Sequence, residues 1–223
     1  MKSLDYEAGQ VLLFDKPYGW SSFDLVRKVR GLIRIKKIGH AGTLDPLATG
    51  LLILCTGKFT KRISEFMGQE KEYVAEVTLG AVTPTYDLES EPVDPKPWDA
   101  ITAADLEAAM QKFRGPILQI PPAHSAIKVG GKRVYELARA GKEVKLEPRP
   151  VTIRELELIQ QSENRITLRV VCSTGTYIRS LAHDLGQTLG SGAYLSGLVR
   201  TRIGAQRLED AFKLDTFEQS IKG

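Results

Sequence analysis

Residues 39–51 read Gly-His-Ala-Gly-Thr-Leu-Asp-Pro-Leu-Ala-Thr-Gly-Leu, and this stretch restricts the chain more than any other. Gly39, Gly42 and Gly50 permit backbone conformations and close approaches that a side chain would forbid, so they predict a tightly shaped loop. Pro46 fixes its own φ and biases Asp45 away from helical geometry, so no helix runs through the aspartate. A single carboxylate, Asp45, is thereby displayed. In isolation an Asp-Pro pair reads as an ordinary turn cap; the length of the surrounding motif argues for more.

Gly-His-x-Gly-Thr-Leu-Asp-Pro-x-Ala-x-Gly resembles the catalytic loop of the TruB family of tRNA pseudouridine synthases, in which the aspartate is the nucleophile. Further stretches extend the resemblance over about residues 10–205. They are Lys16-Pro17-x-Gly19-x-Ser21-Ser22, Lys71-x-Tyr73 with Leu79-Gly80 and Thr83-x-Thr85-x-Asp87, Pro121-Pro122-x-x-Ser125-Ala126-x-Lys128, Arg133-x-Tyr135, and Thr176-Tyr177-Ile178-Arg179-Ser180-Leu181. Two departures stand out: Ala41 replaces the commoner threonine, and Glu89-Ser90-Glu91 stands where a glycine often closes the Asp87 turn.

The resemblance implies an α+β pseudouridine synthase fold, with a mixed, mostly antiparallel central sheet flanked by helices and loops. It implies catalytic roles for Asp45, Tyr73 and Arg179. Tyr73 would stack on the target uracil, and Arg179 would pair with Asp45 and keep it ionised, since a guanidinium is permanently charged and binds carboxylates bidentately. Tyr177 and Leu198 would contact the flipped nucleotide. His40 would fill the place of the extruded base in the T loop, because extrusion costs a few kcal/mol. Lys16 would support the site or contact RNA. The implied substrate is the uridine at position 55 of tRNA, in the T loop of the T arm. The implied protein is a cytoplasmic monomer needing neither cofactor nor metal, and residues 1–223 are expected to form one catalytic domain without the C-terminal PUA-type domain of many bacterial members.

Composition agrees with a polyanion partner. The chain has 31 Lys and Arg against 27 Asp and Glu, but residues 87–107 hold seven acids and one base, leaving 30 bases against 20 acids elsewhere. Arg27, Lys28, Arg30, Arg34, Lys36 and Lys37 fall in eleven residues without an acid, just before the Asp45 loop, and suit a phosphate track. A second basic element comprises Lys128, Lys132, Arg133, Arg139 and Lys142. No apolar run approaches the roughly 20 residues of a membrane helix. Cys55 and Cys172 sit in separate apolar runs and are expected to be reduced core thiols.

Periodicity places the motifs. A strand is expected over residues 11–14, then a helix capped by Ser21 or Ser22 with Phe23, Val26, Val29 and Ile33 inward. Residues 51–55 predict a strand buried on both faces; residues 73–80 alternate, with Tyr73, Ala75, Val77 and Leu79 on one face. Residues 89–100 read as an acidic surface loop. Thr102 to Asp105 opens a helix as a capping box, stopped by Gly115-Pro116. Strands follow over 151–158, 166–172 and 195–203, with a helix between the last two that begins near Tyr177 and Arg179. A closing helix or two ends the chain.

A glycoside hydrolase also uses a carboxylate nucleophile, but it needs a second carboxylic acid where these motifs supply an arginine and a tyrosine. A non-catalytic RNA-binding or tRNA-folding module, or a synthase acting on another RNA, are the other readings. Pseudouridine formation involves no net redox change, which agrees with the absence of a dinucleotide fingerprint or a P-loop.

Overall fold

The computed structural model describes residues 5–123, 128–129, 132–133 and 146–222; Ser125, Ala126, Gly130, Gly131, Tyr135, Arg139 and Lys142, and the side chains of Lys128, Lys132 and Arg133, lie outside the description. Two compact units emerge, Met1–Val74 with Leu198–Gly223, and Ala75–Gly197. Strands β4 (Lys71–Leu79) and β10 (Ala193–Ile203) each run from one unit into the other.

The first unit is built on β3 (Ala48–Thr56). Strand β1 (Val11–Lys16) pairs with it antiparallel, as does β2 (Ile38–Ala41), and the C-terminal part of β10 pairs with it in parallel. A two-residue strand, β11 (Gln206–Arg207), pairs antiparallel with β10. Leu51 to Cys55 are fully buried, as their unbroken apolar run predicts. Their side chains alternate between two cores. Leu52 and Leu54 pack with Leu12 and Phe14 of β1, under α1 (Ser22–Ile33) and α5 (Leu214–Lys222). Leu51, Ile53 and Cys55 pack on the other side with Ala41, Phe66 and Ile203. A 3₁₀ turn, Gly57–Arg62, and the short helix α2 (Ile63–Met67) follow β3.

Ser21 caps α1: its hydroxyl accepts from the Asp24 amide, and the Asp24 carboxylate accepts from the Ser21 amide. Such caps contribute about 1 kcal/mol. The inward stripe is Ser22, Leu25, Val26, Val29 and Ile33, whereas Phe23 is 61% exposed and not inward as its spacing suggested. The cause is Ser22, whose hydroxyl accepts from the Leu44 amide at 2.9 Å and donates to the Leu44 carbonyl at 3.1 Å, turning the helix so that its neighbour faces out.

In the second unit β8 (Arg149–Ser162) pairs antiparallel with both β9 (Arg165–Cys172) and β5 (Gly115–Gln119), and β9 lies beside β4. Gly115-Pro116 thus opens a strand as well as following a helix. Proline is tolerated there because β5 is the edge strand. Between β5 and β8, the backbone of β6 (Lys128–Val129) pairs antiparallel with that of β7 (Lys132–Arg133). Helix α3 (Ala103–Gln111) has the expected Thr102/Asp105 capping box and packs on α4 (Ile178–Leu189). The α+β class and the mixed, mostly antiparallel sheet are borne out. Both cysteines are buried, and neither forms a disulfide among the described residues. Among the described residues no helix is long and apolar enough to cross a membrane.

Gly50 makes the tightest demand on the backbone. Its φ is +96°, and a Cβ there would lie 2.4 Å from the carbonyl oxygen of Arg200. Gly19 has φ +78° with nothing within 4 Å of its Cβ position. Gly50→Ala should therefore destabilise by about 2–4 kcal/mol, strain and overlap together, and Gly19→Ala by about 1 kcal/mol, strain alone. Urea unfolding midpoints of the two variants would check this, and equal shifts would show that the β3–β10 approach is not the constraint.

Candidate active site

Asp45 lies in the loop between β2 and β3, half-buried, with its backbone neighbours fixed on every side. The Ser22 hydroxyl holds Leu44 through both its amide and its carbonyl. The Pro46 carbonyl accepts from the Gly19 amide at 2.9 Å and from the Lys16 ammonium at 3.3 Å. The Arg200 guanidinium donates to the carbonyls of Gly42 at 3.1 Å, Thr43 at 3.4 Å and Leu51 at 2.8 Å, so one side chain ties both ends of the loop.

Lys16 and Arg200 owe this reach to register. Gly50 is paired with Lys16 on β1 and with Arg200 on β10, and residues paired across a sheet project to the same face. Gly50 fills none of the space between them. Both cations are buried, Lys16 at 0% and Arg200 at 1% exposure. The Lys16 ammonium also donates to the carbonyls of Trp20 at 2.5 Å and Pro17 at 3.0 Å. Burial brings its pKa down to about 8; the Asp45 carboxylate opposes that fall and the Arg200 charge adds to it. Of the two roles expected for Lys16, support of the loop is the one this geometry serves, since a fully buried ammonium presents no surface to an RNA.

Leu198, half-buried on β10, is paired in parallel with Ala48, three residues past Asp45, and its carbonyl accepts from the Thr49 hydroxyl at 3.4 Å. Tyr73 is buried on β4. The adjacent Glu72, on the opposite face, accepts from the Thr201 hydroxyl at 2.8 Å and stands 3.8 Å from Arg202, which ties this end of β4 to β10. His40 lies on β2 opposite Leu54, half-buried, and its Nδ1 has no hydrogen-bond partner among the described residues. Burial, and then the Arg200 charge, hold its pKa below the ordinary value, so the ring is neutral at pH 7.

The second unit carries Tyr177 and Arg179 at the start of α4. Gln119, buried at the end of β5, grips the backbone of Tyr177 from both sides: its Oε1 accepts from the Tyr177 amide at 2.8 Å, and its Nε2 donates to the Tyr177 carbonyl at 3.0 Å. The Ser180 hydroxyl donates to the Ile120 carbonyl. Arg179 is buried, and within this unit it faces the buried carboxylate of Asp87 at 3.4 Å and the Thr85 carbonyl at 3.3 Å. Among the described residues no group of three or more His, Cys, Asp or Glu side chains could hold a metal ion.

Arg200, Ser22, Gln119 and Asp87 were not singled out from sequence as parts of the site. Arg200 shares a strand face with Leu198 at i+2, the one local signal that it belonged there.

The fold is that of the pseudouridine synthases. A chain from the crystal structure of a Cbf5-Nop10-Gar1 complex superposes with a TM-score of 0.75 at 29% identity, over 96% of this chain and 54% of that one, so the present chain spans about half its length. Residues 30–178 match the family model described as TruB family pseudouridylate synthase (N terminal domain). A Phocaeicola vulgatus protein named tRNA pseudouridine synthase B is 51% identical over 223 residues, covering 97% of this chain and 94% of that protein. One of the same name from Parabacteroides distasonis is 54% identical over 212 residues, covering 92% and 90%. The chain belongs to the TruB family of pseudouridylate synthases, which are isomerases.

If Lys16 and Arg200 fix the loop, removing either should lower kcat more than it raises KM. Misplacing a reacting group by about 1 Å can cost about 100-fold, and Lys16→Met and Arg200→Met are expected to approach that loss. Lys16 adds a pH signature. Below about pH 8 its ammonium has three N–H groups for three carbonyls; above, the neutral amine has two. Turnover should therefore fall as pH rises through about 8 in the wild type, and Lys16→Met should lose that alkaline limb. A limb of unchanged position in Lys16→Met would assign it to another group.

Proposed function

We propose that this chain isomerises uridine to pseudouridine in tRNA, at position 55 of the T loop, with Asp45 as nucleophile. The observation that carries the reading is the joint one of an unbroken Asp45 motif and identity above 50%, over nine-tenths or more of both chains, to proteins named tRNA pseudouridine synthase B. In the reaction the bond from ribose C1′ to N1 breaks, the uracil turns, C5 bonds to C1′, and the proton on C5 is lost as N1 gains one. Asp45 adds covalently to the sugar carbon or to the uracil ring and leaves again, so electrons balance without an external oxidant or reductant.

For that role Asp45 has to be ionised in a site from which water is excluded, where an unpaired carboxylate would otherwise take up a proton. The attraction between Asp45 and the buried Lys16 favours charge on both groups. Tyr73 is proposed to stack on the uracil and to assist loss of the C5 proton. Leu198 and Tyr177 are proposed to contact the flipped nucleotide, and Arg179 to be catalytic, on the strength of their motifs. His40 is proposed to fill the gap left by the extruded base; a neutral ring loses less hydration on entering a base stack than a charged one. Recognition would rest on the shape and phosphates of a folded loop.

The test is pseudouridine mapping on an unmodified tRNA transcript with the wild type, Asp45→Asn and Tyr73→Phe. Conversion of the position-55 uridine should disappear in Asp45→Asn with affinity for the transcript retained. Tyr73→Phe should also bind and turn over more slowly. Conversion by Asp45→Asn would remove the nucleophile assignment; binding without conversion by the wild type would make this an RNA-binding module.

A further inference from the structure

The most exposed aromatic side chains in the first unit, Tyr18 at 64% and Phe23 at 61%, stand beside the loop that carries Asp45. They are not stray surface residues on flexible backbone. Gly19, which follows Tyr18, donates its amide to the Pro46 carbonyl, and Ser22, which precedes Phe23, is locked to Leu44. Each ring thus belongs to the sequence neighbour of a residue bonded to one flank of Asp45, Tyr18 beside Gly19 and Phe23 beside Ser22.

Phe23 also heads a row. At 100° per residue, Phe23, Arg27 and Arg30 fall on one stripe of α1, about 85–145° from the centre of its buried arc, and Arg34 follows as the left-handed cap at its C-terminal end. Phe23, Arg27, Arg30 and Arg34 are all exposed. From Phe23 to Arg34 the row is about 16 Å long at 1.5 Å per residue. Arg27 pairs with Asp24 at 2.9 Å, an exposed contact worth less than about 1 kcal/mol, so a phosphate can displace it. Lys28 is engaged elsewhere, with Glu218. At the N-terminal end of α1 an open hollow of about 340 Å³ is lined by Gly19, Trp20, Asp24, Arg27 and Lys28. Isolated exposed apolar residues need no explanation. Two aromatics fixed to a catalytic loop and continued by an arginine stripe combine the two elements that hold unpaired nucleotides, a stacking platform and a cationic track.

We propose that this surface is a second RNA contact: Tyr18 and Phe23 stack on an unpaired base of the substrate RNA other than the reacting uridine, and Arg27, Arg30 and Arg34 follow the adjoining phosphates. The inference rests on the reading of the substrate as RNA. It adds a means of orienting that RNA from outside the reacting pocket, through residues that share the backbone supports of Asp45.

Salt dependence separates the two halves of the surface. Stacking releases few counterions, whereas each phosphate contact contributes about 0.7–0.9 to the slope of log K against log salt. Affinity for an unmodified tRNA transcript should be measured across a salt series for the wild type, Tyr18→Ala, Phe23→Ala, Phe23→Trp, Arg30→Ala and Arg34→Ala, with thermal unfolding as a check on each. Tyr18→Ala and Phe23→Ala should each bind about tenfold more weakly at unchanged slope, Phe23→Trp should bind as the wild type does, and each arginine variant should lose close to one phosphate's share of the slope. Wild-type affinity in both alanine variants, or a loss matched by a fall in unfolding temperature, overturns the proposal. Conversion of the transcript is followed in parallel. Conversion by the wild type with no effect of the aromatic changes on binding removes the second contact alone, while a wild type that neither converts nor binds the transcript removes the functional reading itself.

Discussion

Burying a cation is among the more expensive things a fold can do, and the most deeply buried ones here, Lys16 and Arg200, stand on either side of one glycine. Each would cost several kcal/mol if left unpaired. Lys16 and Arg200 are tolerated because six backbone carbonyls receive them, three from each side chain. Three of those carbonyls, of Gly42, Thr43 and Pro46, belong to the loop that carries Asp45. The same contacts thus make two burdens cancel: carbonyls of an irregular loop that no strand partner satisfies, and charges that no solvent reaches. Gly50 is what allows it. Any side chain at that point would collide with the Arg200 backbone, and the space between the two cations would be lost.

From that arrangement the position of α1 follows. A helix lying on a sheet could rotate about its axis at modest cost while keeping most of its apolar contacts. Here Ser22 pins the rotation by bonding both backbone groups of Leu44, and Gly19 pins the entry by bonding Pro46. The register of the helix is therefore set by the Asp45 loop as much as by the core. The exposed stripe headed by Phe23 is a consequence: once Ser22 points inward, Phe23 and the arginines at its helical spacing point out. The second unit uses the same device, with a side chain satisfying backbone groups at a site residue, where Gln119 holds Tyr177 and a buried pair, Arg179 with Asp87, anchors the next turn. Loss of one partner from such a pair typically costs about 3–5 kcal/mol, because the remaining charge stays buried.

Which of these features could be read from sequence depends on whether their cause is local. The strand over β3 was legible because five consecutive apolar residues between glycines leave few other options, and the Thr102 capping box because both partners lie three residues apart, whereas the α1 cap stayed open between Ser21 and Ser22. Asp45 was legible because glycine and proline act on their own backbone. Arg200 was not. An arginine in an alternating strand has the pattern of a solvated residue, and only pairing with Gly50, 150 positions earlier in the chain, converts that pattern into burial. Phe23 failed for the same reason in reverse. Its spacing from Val26 suits an inward stripe, and what excludes it is a hydroxyl contact to Leu44, 22 residues from Ser22. Strand β5 was hidden behind Gly115-Pro116, which reads as punctuation until an edge position makes proline harmless.

In the first unit the residues that local pattern misplaced, Ser22, Arg200 and Phe23, are polar residues turned inward or an apolar one turned outward, and each bonds to or adjoins the Asp45 loop. That coincidence has a physical basis. A core residue is positioned by many weak contacts whose average direction the pattern of apolar residues already reports. A residue that orients an irregular loop such as the one carrying Asp45 is positioned by one or two directional bonds, strong enough to override that average and specific to partners far away in sequence. Such departures are therefore a guide in their own right: in α1 the departure at Ser22 locates the loop it holds, and the departure at Phe23, one residue later, places an aromatic ring where the buried arc of the helix leaves room only for solvent or another molecule.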